Sequence, residues 1–348
     1  MPQKGLASEM NAEYIKENRK QTRHRPVNKN TSTNQHAGFY LSVQLQDFTI
    51  QYGALKAVRS VTLEFGAGST GLLGPNGAGK SSLIKGLLGL VPVASGSALI
   101  MGKSVVAERK AIRQVVGYMP EDDCLIPGLT GIGMVQYAGE LAGMSREDAM
   151  QRGHEILFMT GLGEARYRKV ETYSAGMKQR IKLAQAIVHD PKLLFLDEPT
   201  SGMDPRGRQE MLDLIQIIAS RGKMSIVLAT HILVDVERIC RQVVIMDKGA
   251  VLEQGLVDEL RGSYQGSYTV RVEGDEKAFV QWLEKKGCRV SPGEKQHLDV
   301  SLPKGKKTGL ILEGAKQTDV RLRKLVPGVQ TLEDVFVKRI GAESIAHL

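Results

Sequence analysis

The sequence predicts a parallel α/β core followed by a small α+β domain. Short continuous apolar runs such as Leu193–Asp197 are typical of central parallel strands, which are buried on both faces. Helical stretches alternate with these runs, which favours a parallel sheet covered by helices. A glycine-rich loop joins one short apolar run, Thr70–Leu73, to the next helix.

Residues 1–38 form a polar, basic extension, with seven Lys and Arg against three Asp and Glu in residues 1–36. Its low apolar content cannot offset the entropy of ordering, so we expect disorder. Such an arm is usually a solvated tail, although a polybasic segment can also favour an anionic membrane surface or nucleic acid. Strand-like alternation then begins, over Tyr40–Leu45 and Val58–Phe65, with an aromatic turn at Tyr52 between the two.

The glycine-rich loop reads Gly74-Pro75-Asn76-Gly77-Ala78-Gly79-Lys80-Ser81, and Ser82 continues into the helix. Its glycines allow successive N–H groups to point into one concavity that suits phosphate oxygens, and the helix dipole adds positive potential there. Lys80 can reach the β- and γ-phosphates, and the Ser81 hydroxyl can ligate Mg²⁺. The loop therefore predicts binding of a nucleoside triphosphate.

Residues 122–180 are predicted to be mostly helical, with Ser145 as one N-cap. Further helices and buried strands follow, including the helix Pro205–Ser220 and the strand Ser225–Ala229. We place the end of this first domain at residue 262.

Two adjacent acids, Asp197 and Glu198, end the apolar run that begins at Leu193. Acids at a strand end usually belong to a turn or a cap. In a parallel sheet, however, this end faces the ligand crevice, beside the glycine-rich loop. One acid there can hold Mg²⁺ through water, and the next can polarise an attacking water.

Two other segments are ambiguous from the residues alone. Ser174 and Gly176 begin a helix, and an ordinary N-cap explains them. His231 follows a predicted strand, where a single histidine is usually structural.

Residues 263–348 predict a separate domain with the order βαββαβ, which indicates a ferredoxin-like fold. A last helix is predicted over Thr331–Phe336, with Thr331 as its N-cap. We find no catalytic cluster in this part of the sequence.

Composition argues against a membrane-spanning chain, a disulfide-rich protein and a cysteine-based metal site. The hydrophobic fraction is 42% and the formal net charge is +9, and no apolar run approaches the roughly 18 residues that span a bilayer. The three cysteines are scattered, which predicts reduced thiols rather than a disulfide framework or a metal cluster.

Together these motifs resemble the ATP-binding subunit of ATP-binding cassette (ABC) transporters over residues 40–260. The resemblance implies a P-loop NTPase cassette for residues 39–262, in which a parallel-sheet core carries an antiparallel β subdomain and a helical subdomain at about 122–180. The nucleotide-binding residues that it implies are Tyr52, Gly74, Pro75, Asn76, Gly77, Ala78, Gly79, Lys80, Ser81, Ser82, Glu121, Ser174, Gly176 and Asp204.

The resemblance also implies individual roles. Glu198 would be the general base for the attacking water, His231 would contact the γ-phosphate, and Lys80 would complete the catalytic set. The Mg²⁺ ligands would be Ser81, Asp197 and Glu121. Tyr52 would stack on adenine, and in the family the segment at Ser174 reaches the ATP of the other subunit in a head-to-tail dimer.

The sequence departs from the family pattern in two places. The segment around Ser174 and Gly176 matches the signature motif of the family, but it has Tyr173, Ala175 and Met177 at positions where the family usually has other residues. Glu121 replaces the glutamine that contacts Mg²⁺; a carboxylate can still ligate the ion but adds negative charge near the phosphates. With the C-terminal extension, these departures are similar to the ABC-2 export subfamily.

The resemblance implies an ATPase that uses ATP and Mg²⁺ to power an integral-membrane permease, as a dimer with a second ATP-binding subunit, which is expected to be a homodimer. It implies a position at the cytoplasmic face of the membrane, with possible contact through the basic N-terminus and no nucleic acid partner. The alternative is a non-transport ABC ATPase acting on ribosomes or nucleic acid. Against it, translation-type members carry two cassettes per chain, and repair-type members insert a coiled coil, for which residues 82–173 are too short and lack heptads.

Overall fold

The computed structural model describes residues 42–220, 224–262, 267–293, 297–303, 305–327, 332–333 and 335–336. The predictions for residues 1–38 and for the Thr331 cap lie outside the described residues. The strands are β1 (Val43–Tyr52), β2 (Leu55–Phe65), β3 (Ser69–Leu73), β4 (Val93–Ile100), β5 (Lys103–Ser104), β6 (Val116–Met119), β7 (Leu193–Asp197), β8 (Ser225–Thr230), β9 (Gln242–Asp247), β10 (Ala250–Leu256), β11 (Ser267–Glu273), β12 (Arg289–Pro292), β13 (Leu298–Ser301) and β14 (Arg321–Pro327).

The helices fall between these strands, as the alternating pattern predicts. They are α1 (Lys80–Leu87), α2 (Arg109–Arg113), α3 (Gly131–Leu141), α4 (Arg146–Met159), α5 (Ala175–Ile187), α6 (Pro205–Ser220), α7 (Leu233–Ile239), α8 (Val257–Gly262), α9 (Glu276–Lys285) and α10 (Gly309–Gln317). Among the described residues, no helix combines the length and the apolarity needed to cross a bilayer.

The central sheet has the order β10-β9-β3-β8-β7-β6, in which β9, β3, β8, β7 and β6 pair in parallel and β10 pairs antiparallel with β9. Both faces of this sheet are covered. Leu194 and Leu196 point into one core, with the helices, whereas Phe195 points into a second core shared with the β1–β2–β4 sheet. This double burial explains the continuous apolar run in β7.

Close packing of α7 on the sheet depends on a glycine in β3. A Cβ atom at Gly71 would lie 2.5 Å from Val236 Cγ1, so only glycine allows the helix to approach this closely. Because β3 lies between β9 and β8, its carboxyl end, which leads into the glycine-rich loop, is in the middle of the sheet.

The antiparallel sheet has the order β2-β1-β4-β5, and β1 and β2 form a hairpin in which Tyr52 pairs with Leu55. Of the alternation predicted over Tyr40–Leu45, the structure describes residues 42–45, and these include only the first three residues of β1. The register shifts between Leu45 and Phe48, where Asp47 has a φ of 49°, and the strand then continues to Tyr52. This bulge hides the second half of the strand from a period-two pattern.

The region from 122 to 180 is mainly helical, as predicted. Ser145 caps α4 by accepting a hydrogen bond from the Asp148 N–H at 3.1 Å, and Thr130 caps α3 in the same way through Gly133 at 3.2 Å. Two short 3₁₀ segments, Glu164–Tyr167 and Val170–Thr172, lead into α5.

The C-terminal domain has the predicted order β11-α9-β12-β13-α10-β14, and its four antiparallel strands are arranged β12-β13-β11-β14. Phe279 and Ile311, one from each helix, are fully buried over the sheet. The ferredoxin-like topology is confirmed. Beyond β14, Leu332, Val335 and Phe336 are buried in the cassette core rather than in this second core.

Candidate nucleotide site

The glycine-rich loop follows β3 and ends in the first turn of α1. A Cβ atom at Gly74 would lie 2.3 Å from the Met246 carbonyl oxygen, and one at Gly79, whose φ is +100°, would lie 2.3 Å from the Ala57 carbonyl oxygen. Both positions therefore require glycine. The loop is held against the Met246 and Ala57 carbonyl oxygens and leads directly into the N-terminus of α1, where the helix dipole favours an anion.

Lys80 lies across the base of the loop and is 6% exposed. Its ammonium group donates to the carbonyl oxygens of Gly74 at 2.7 Å and Pro75 at 3.2 Å, and lies 3.5 Å from Glu198 Oε1. Burial lowers the pKa of Lys80, while Glu198 and Asp197 oppose this shift. The cation is thus held beside the loop, between backbone carbonyls and two acids.

Asp197 ends β7 next to the loop and is 1% exposed. Burial raises the pKa of this carboxyl to about 6; a hydrogen bond with Ser81 opposes the rise, whereas the Glu121 and Glu198 carboxylates add to it. Among the described residues, Oδ1 of Asp197 has no hydrogen-bond partner.

A buried carboxylate oxygen without a donor, beside a hydroxyl and a second carboxylate, is a suitable donor set for a hard cation. The described residues contain no cluster of three or more His, Cys, Asp or Glu that could hold a metal. Mg²⁺ does not need one, because it is commonly bound through one or two carboxylates together with substrate phosphates and water. Ser81, Asp197 and Glu121 fit that pattern.

Glu198 is buried and held from several sides. Its carboxylate accepts a hydrogen bond from Thr230 Oγ1 at 3.1 Å, and His231 Nδ1 lies 3.0 Å from its other oxygen. The residue has a φ of 45°, in the left-handed region, a conformation that costs of order 1 kcal/mol or more and clusters at functional sites. The last residue of β8, Thr230, and the residue that follows it, His231, therefore orient this acid.

A cleft of about 640 Å³ opens beside the loop, within the usual size range of ligand sites. Of the residues that the resemblance implies for nucleotide binding, the cleft is lined by Tyr52, Asn76, Gly77, Ala78, Gly79, Lys80, Ser81, Ser82 and Glu121. The Tyr52 ring is 43% exposed at the β1–β2 turn and can accept a flat ligand. Glu198 also lines the cleft.

Three cations line this cleft that sequence reasoning missed: Lys56, Arg59 and Lys248. Lys56 and Arg59 follow the aromatic turn on β2, so the spacing from Tyr52 could have indicated them. Lys248 lies in the β9–β10 turn, next to Gly249, whose carbonyl oxygen accepts the Arg59 N–H at 2.7 Å. No local signal in the sequence connects this turn with the site.

Ser174, Gly176 and Asp204 do not line the cleft of their own chain. Ser174 is exposed and caps α5, accepting from the Met177 N–H at 3.4 Å. The loop that carries Asp204 is tied to the same helix, because Gln179 Nε2 donates to the Ser201 carbonyl oxygen at 2.9 Å. The two segments thus form a surface apart from the cleft.

The fold and the site define a P-loop nucleoside triphosphatase. Comparison with known proteins narrows this class: the family described as "ABC transporter" matches residues 58–201. The ABC transporter ATP-binding protein YxlF of Bacillus subtilis is 32% identical over 305 residues, covering 86% of this chain and all of the relative. The daunorubicin/doxorubicin resistance ATP-binding protein DrrA of Streptomyces peucetius is 31% identical, covering 83% of this chain and 92% of the relative.

Among solved structures, the ATP-binding subunit of an ABC transporter is 28% identical to this chain, with a TM-score of 0.57 over 64% of this chain and 92% of that one. The chain therefore belongs to the ATP-binding proteins of ABC transporters. It is an ATPase subunit that powers a transporter, and the resemblance inferred from its motifs is confirmed.

Proposed function

We propose that this chain hydrolyses ATP at two composite sites of a homodimer and thereby drives an integral-membrane permease of the ABC-2 export type. One observation carries the proposal: several chemical groups meet at the carboxyl ends of the neighbouring parallel strands β3, β8 and β7. These groups are the glycine-rich loop with Lys80, the Asp197 carboxylate, and Glu198 with its partners Thr230 and His231. The export direction is supported by the name of the DrrA relative, a drug resistance protein.

In this proposal Lys80 turns from the loop carbonyls toward the β- and γ-phosphates, and Glu198 polarises the attacking water. Thr230 and His231 hold the Glu198 carboxylate in position, and in this proposal His231 also contacts the γ-phosphate. Mg²⁺, when bound by Ser81, Asp197 and Glu121, supplies neutralisation of the phosphate charge. Tyr52 stacks on adenine at the open end of the cleft.

The second half of each site comes from the other subunit in this proposal. Ser174 and Gly176 sit at the N-terminus of α5, where N–H groups and the helix dipole favour an anionic phosphate. Because they lie outside the cleft of their own chain, they are free to contact a nucleotide bound by a second copy, next to Asp204. An isolated chain would then bind ATP but hydrolyse it slowly.

The proposed location is the cytoplasmic face of the membrane, reached through the permease. Residues 1–38, with their excess of Lys and Arg, would add an attraction to anionic lipid. The alternative of a ribosome- or nucleic-acid-directed ATPase is not favoured, because the matched relatives are transporter proteins.

The test compares wild type with Glu198→Gln, using Glu155→Gln as the matched control on the exposed surface of α4. ATPase rate and oligomeric state in ATP are measured. We expect Glu198→Gln to bind ATP, to lose at least about 100-fold in rate, and to accumulate as an ATP-bound dimer. Hydrolysis by Glu198→Gln at the wild-type rate would exclude Glu198 as the base.

The transport arm of the proposal needs a second measurement. Affinity purification of the full chain from native membranes should recover an integral-membrane protein with several predicted spans. Recovery of ribosomes instead, with no membrane protein, would overturn the permease partnership while leaving the ATPase assignment intact.

A further inference from the structure

The loop that follows β6 carries three consecutive acids, Glu121, Asp122 and Asp123. Glu121 lines the nucleotide cleft, and its carboxylate adds to the rise in the pKa of Asp197. The loop connects β6 to α3. It brings the Glu121 carboxylate close to Asp197, on the side of the site where Ser81, Asp197 and Glu121 would hold Mg²⁺, which we call the cation edge. What holds this loop decides where that carboxylate lies.

A fully buried lysine on α5 holds the loop. Lys182 is 1% exposed, and its ammonium group donates to the Glu121 carbonyl oxygen at 2.7 Å. One turn earlier on the same helix face, Lys178 forms a 3.1 Å ion pair with Asp123 that is partly exposed. Two lysines at an i, i+4 spacing thus attach the acidic loop to the helix.

Burial of an ammonium group is costly unless the charge is paired and hydrogen-bonded. Burial lowers the pKa of Lys182, and the neighbouring Cys124, Asp123, Asp122 and Glu121 oppose this shift. The acids of the loop therefore stabilise the charge that holds the loop. A methionine or leucine would fill the same space without this cost, so the lysine is suited to fixing a backbone position rather than to packing.

The helix that carries Lys182 is the one that begins after Ser174, and its Gln179 also holds the Ser201 carbonyl. We propose that Lys182 is a positioning residue of the nucleotide site: it fixes the backbone at Glu121 to this helix, so that the Glu121 carboxylate stays at the cation edge. This inference rests on the proposed function, in which Glu121 and Asp197 hold Mg²⁺.

The test is the Mg²⁺ dependence of ATP binding in Lys182→Met, which keeps the side-chain volume and removes the donor. A fluorescent ATP analogue is titrated with Mg²⁺ and, separately, with EDTA. We expect about a tenfold weaker binding than wild type with Mg²⁺ and no change with EDTA, a selective effect that a general loss of structure would not give. Lys277→Met, an exposed lysine on α9, is the matched control and should match wild type in both titrations.

Two further measurements separate positioning from a general structural role. Hydrogen exchange of the amides at residues 121–124 should be faster in Lys182→Met, whereas exchange in β7 should be unchanged. Because Lys182 acts through the Glu121 side chain in this proposal, adding Lys182→Met to Glu121→Ala, which has no ligand at this position, should weaken Mg²⁺-dependent binding by less than about twofold more. Independent losses in the double variant would overturn it.

If Lys182→Met does not fold, Lys182→Gln, which keeps an N–H donor on a shorter stem, carries the same test, with at least a threefold selective loss expected. Binding in Mg²⁺ equal to that of wild type in a folded Lys182 variant would overturn the inference alone. Absence of any Mg²⁺ effect on ATP binding by the wild-type chain would overturn the proposed function as well.

Discussion

Asp235 offers the sharpest test of how the site is braced. This aspartate on α7 is 1% exposed and accepts hydrogen bonds from Thr200 Oγ1 at 3.0 Å and from Arg208 through Nε at 3.1 Å and Nη2 at 2.6 Å. Thr200 lies two residues after Glu198, in the segment that follows β7, and α7 begins two residues after His231. The network therefore joins the two segments that orient the Glu198 carboxylate, and we choose Asp235→Ala to break it.

The expected loss of stability follows from the burial of the partners. Removing one member of a fully buried ion pair costs about 3–5 kcal/mol, because the other charge is left without compensation. The Arg208 side chain is 32% exposed and can regain water, so we reduce this to about 2–3 kcal/mol. For a cassette of this size, that corresponds to a fall in melting temperature of about 4–12 °C.

The assay is the thermal unfolding of the nucleotide-free protein, followed by calorimetry. The matched control is Asp213→Ala, whose carboxylate is 53% exposed and pairs with Arg238 at 2.5 Å. An exposed pair of this kind contributes about 0–1 kcal/mol, so its melting temperature should fall by less than about 4 °C. Equal shifts in the two variants would refute the argument that burial decides the cost.

Three further predictions follow from burial and close contact. The pKa of about 6 at Asp197 lies above its ordinary 3.8, so the folded state favours the neutral acid, and the ionised carboxylate destabilises the fold. This loss of stability is absent below pH 4 and complete above pH 6. Asp197→Asn should therefore stabilise the nucleotide-free protein by about 3 kcal/mol at pH 7.5 and by roughly half as much at pH 5, and a gain that does not change with pH would contradict this. Gly117→Ala places a Cβ atom 2.0 Å from the Ala186 carbonyl oxygen and should destabilise by about 2–3 kcal/mol in urea unfolding, whereas Gly309→Ala, with open space, should be neutral or slightly stabilising. Tyr52→Ala should weaken ATP binding about fivefold in a fluorescence titration through the loss of stacking, and unchanged affinity would place adenine elsewhere.

The sequence predicted best the elements whose physics is local. β7 occupies the predicted residues Leu193–Asp197, because burial on both faces leaves a continuous apolar run. The predicted bounds of α6, Pro205–Ser220, are also confirmed, since proline at a first helical position gives a sharp start. The ferredoxin-like topology followed from element order alone.

What the sequence did not predict depends on irregular backbone or on partial exposure. The second half of β1 lies beyond the bulge at Asp47, which breaks the alternation. β10 was missed because, in the part of the chain that the structure describes, it lies at the sheet edge and pairs with β9 alone, and its side chains are mostly half-exposed, so no clear pattern of buried positions marks it. The helix predicted after Thr331 gave no sign that Leu332 and Phe336 would be buried in the cassette core.

The site shows the same division. The phosphate-binding loop and the acids at the end of β7 have local motifs, and the structure brings the loop and Glu198 together at the cleft. Lys182 and Asp235 carry no such motif, because each acts on a residue distant in sequence; the lysine and the carbonyl that it holds are 61 positions apart. Contacts of this kind come from the packing of α5 and α7 on the sheet, which only the fold supplies.

These distant contacts have a consequence for how two sites would communicate. α5 begins after Ser174, which in the proposed dimer meets the nucleotide of the other subunit, and the same helix holds the Glu121 loop through Lys182 and the Ser201 loop through Gln179. If α5 moves as a rigid body when its N-terminus is engaged, both loops should move with it, because the hydrogen-bond donors that hold them, Lys182 Nζ and Gln179 Nε2, are side chains of this helix. Each chain would therefore report engagement of its partner's ATP to the cation edge of its own site through one helix.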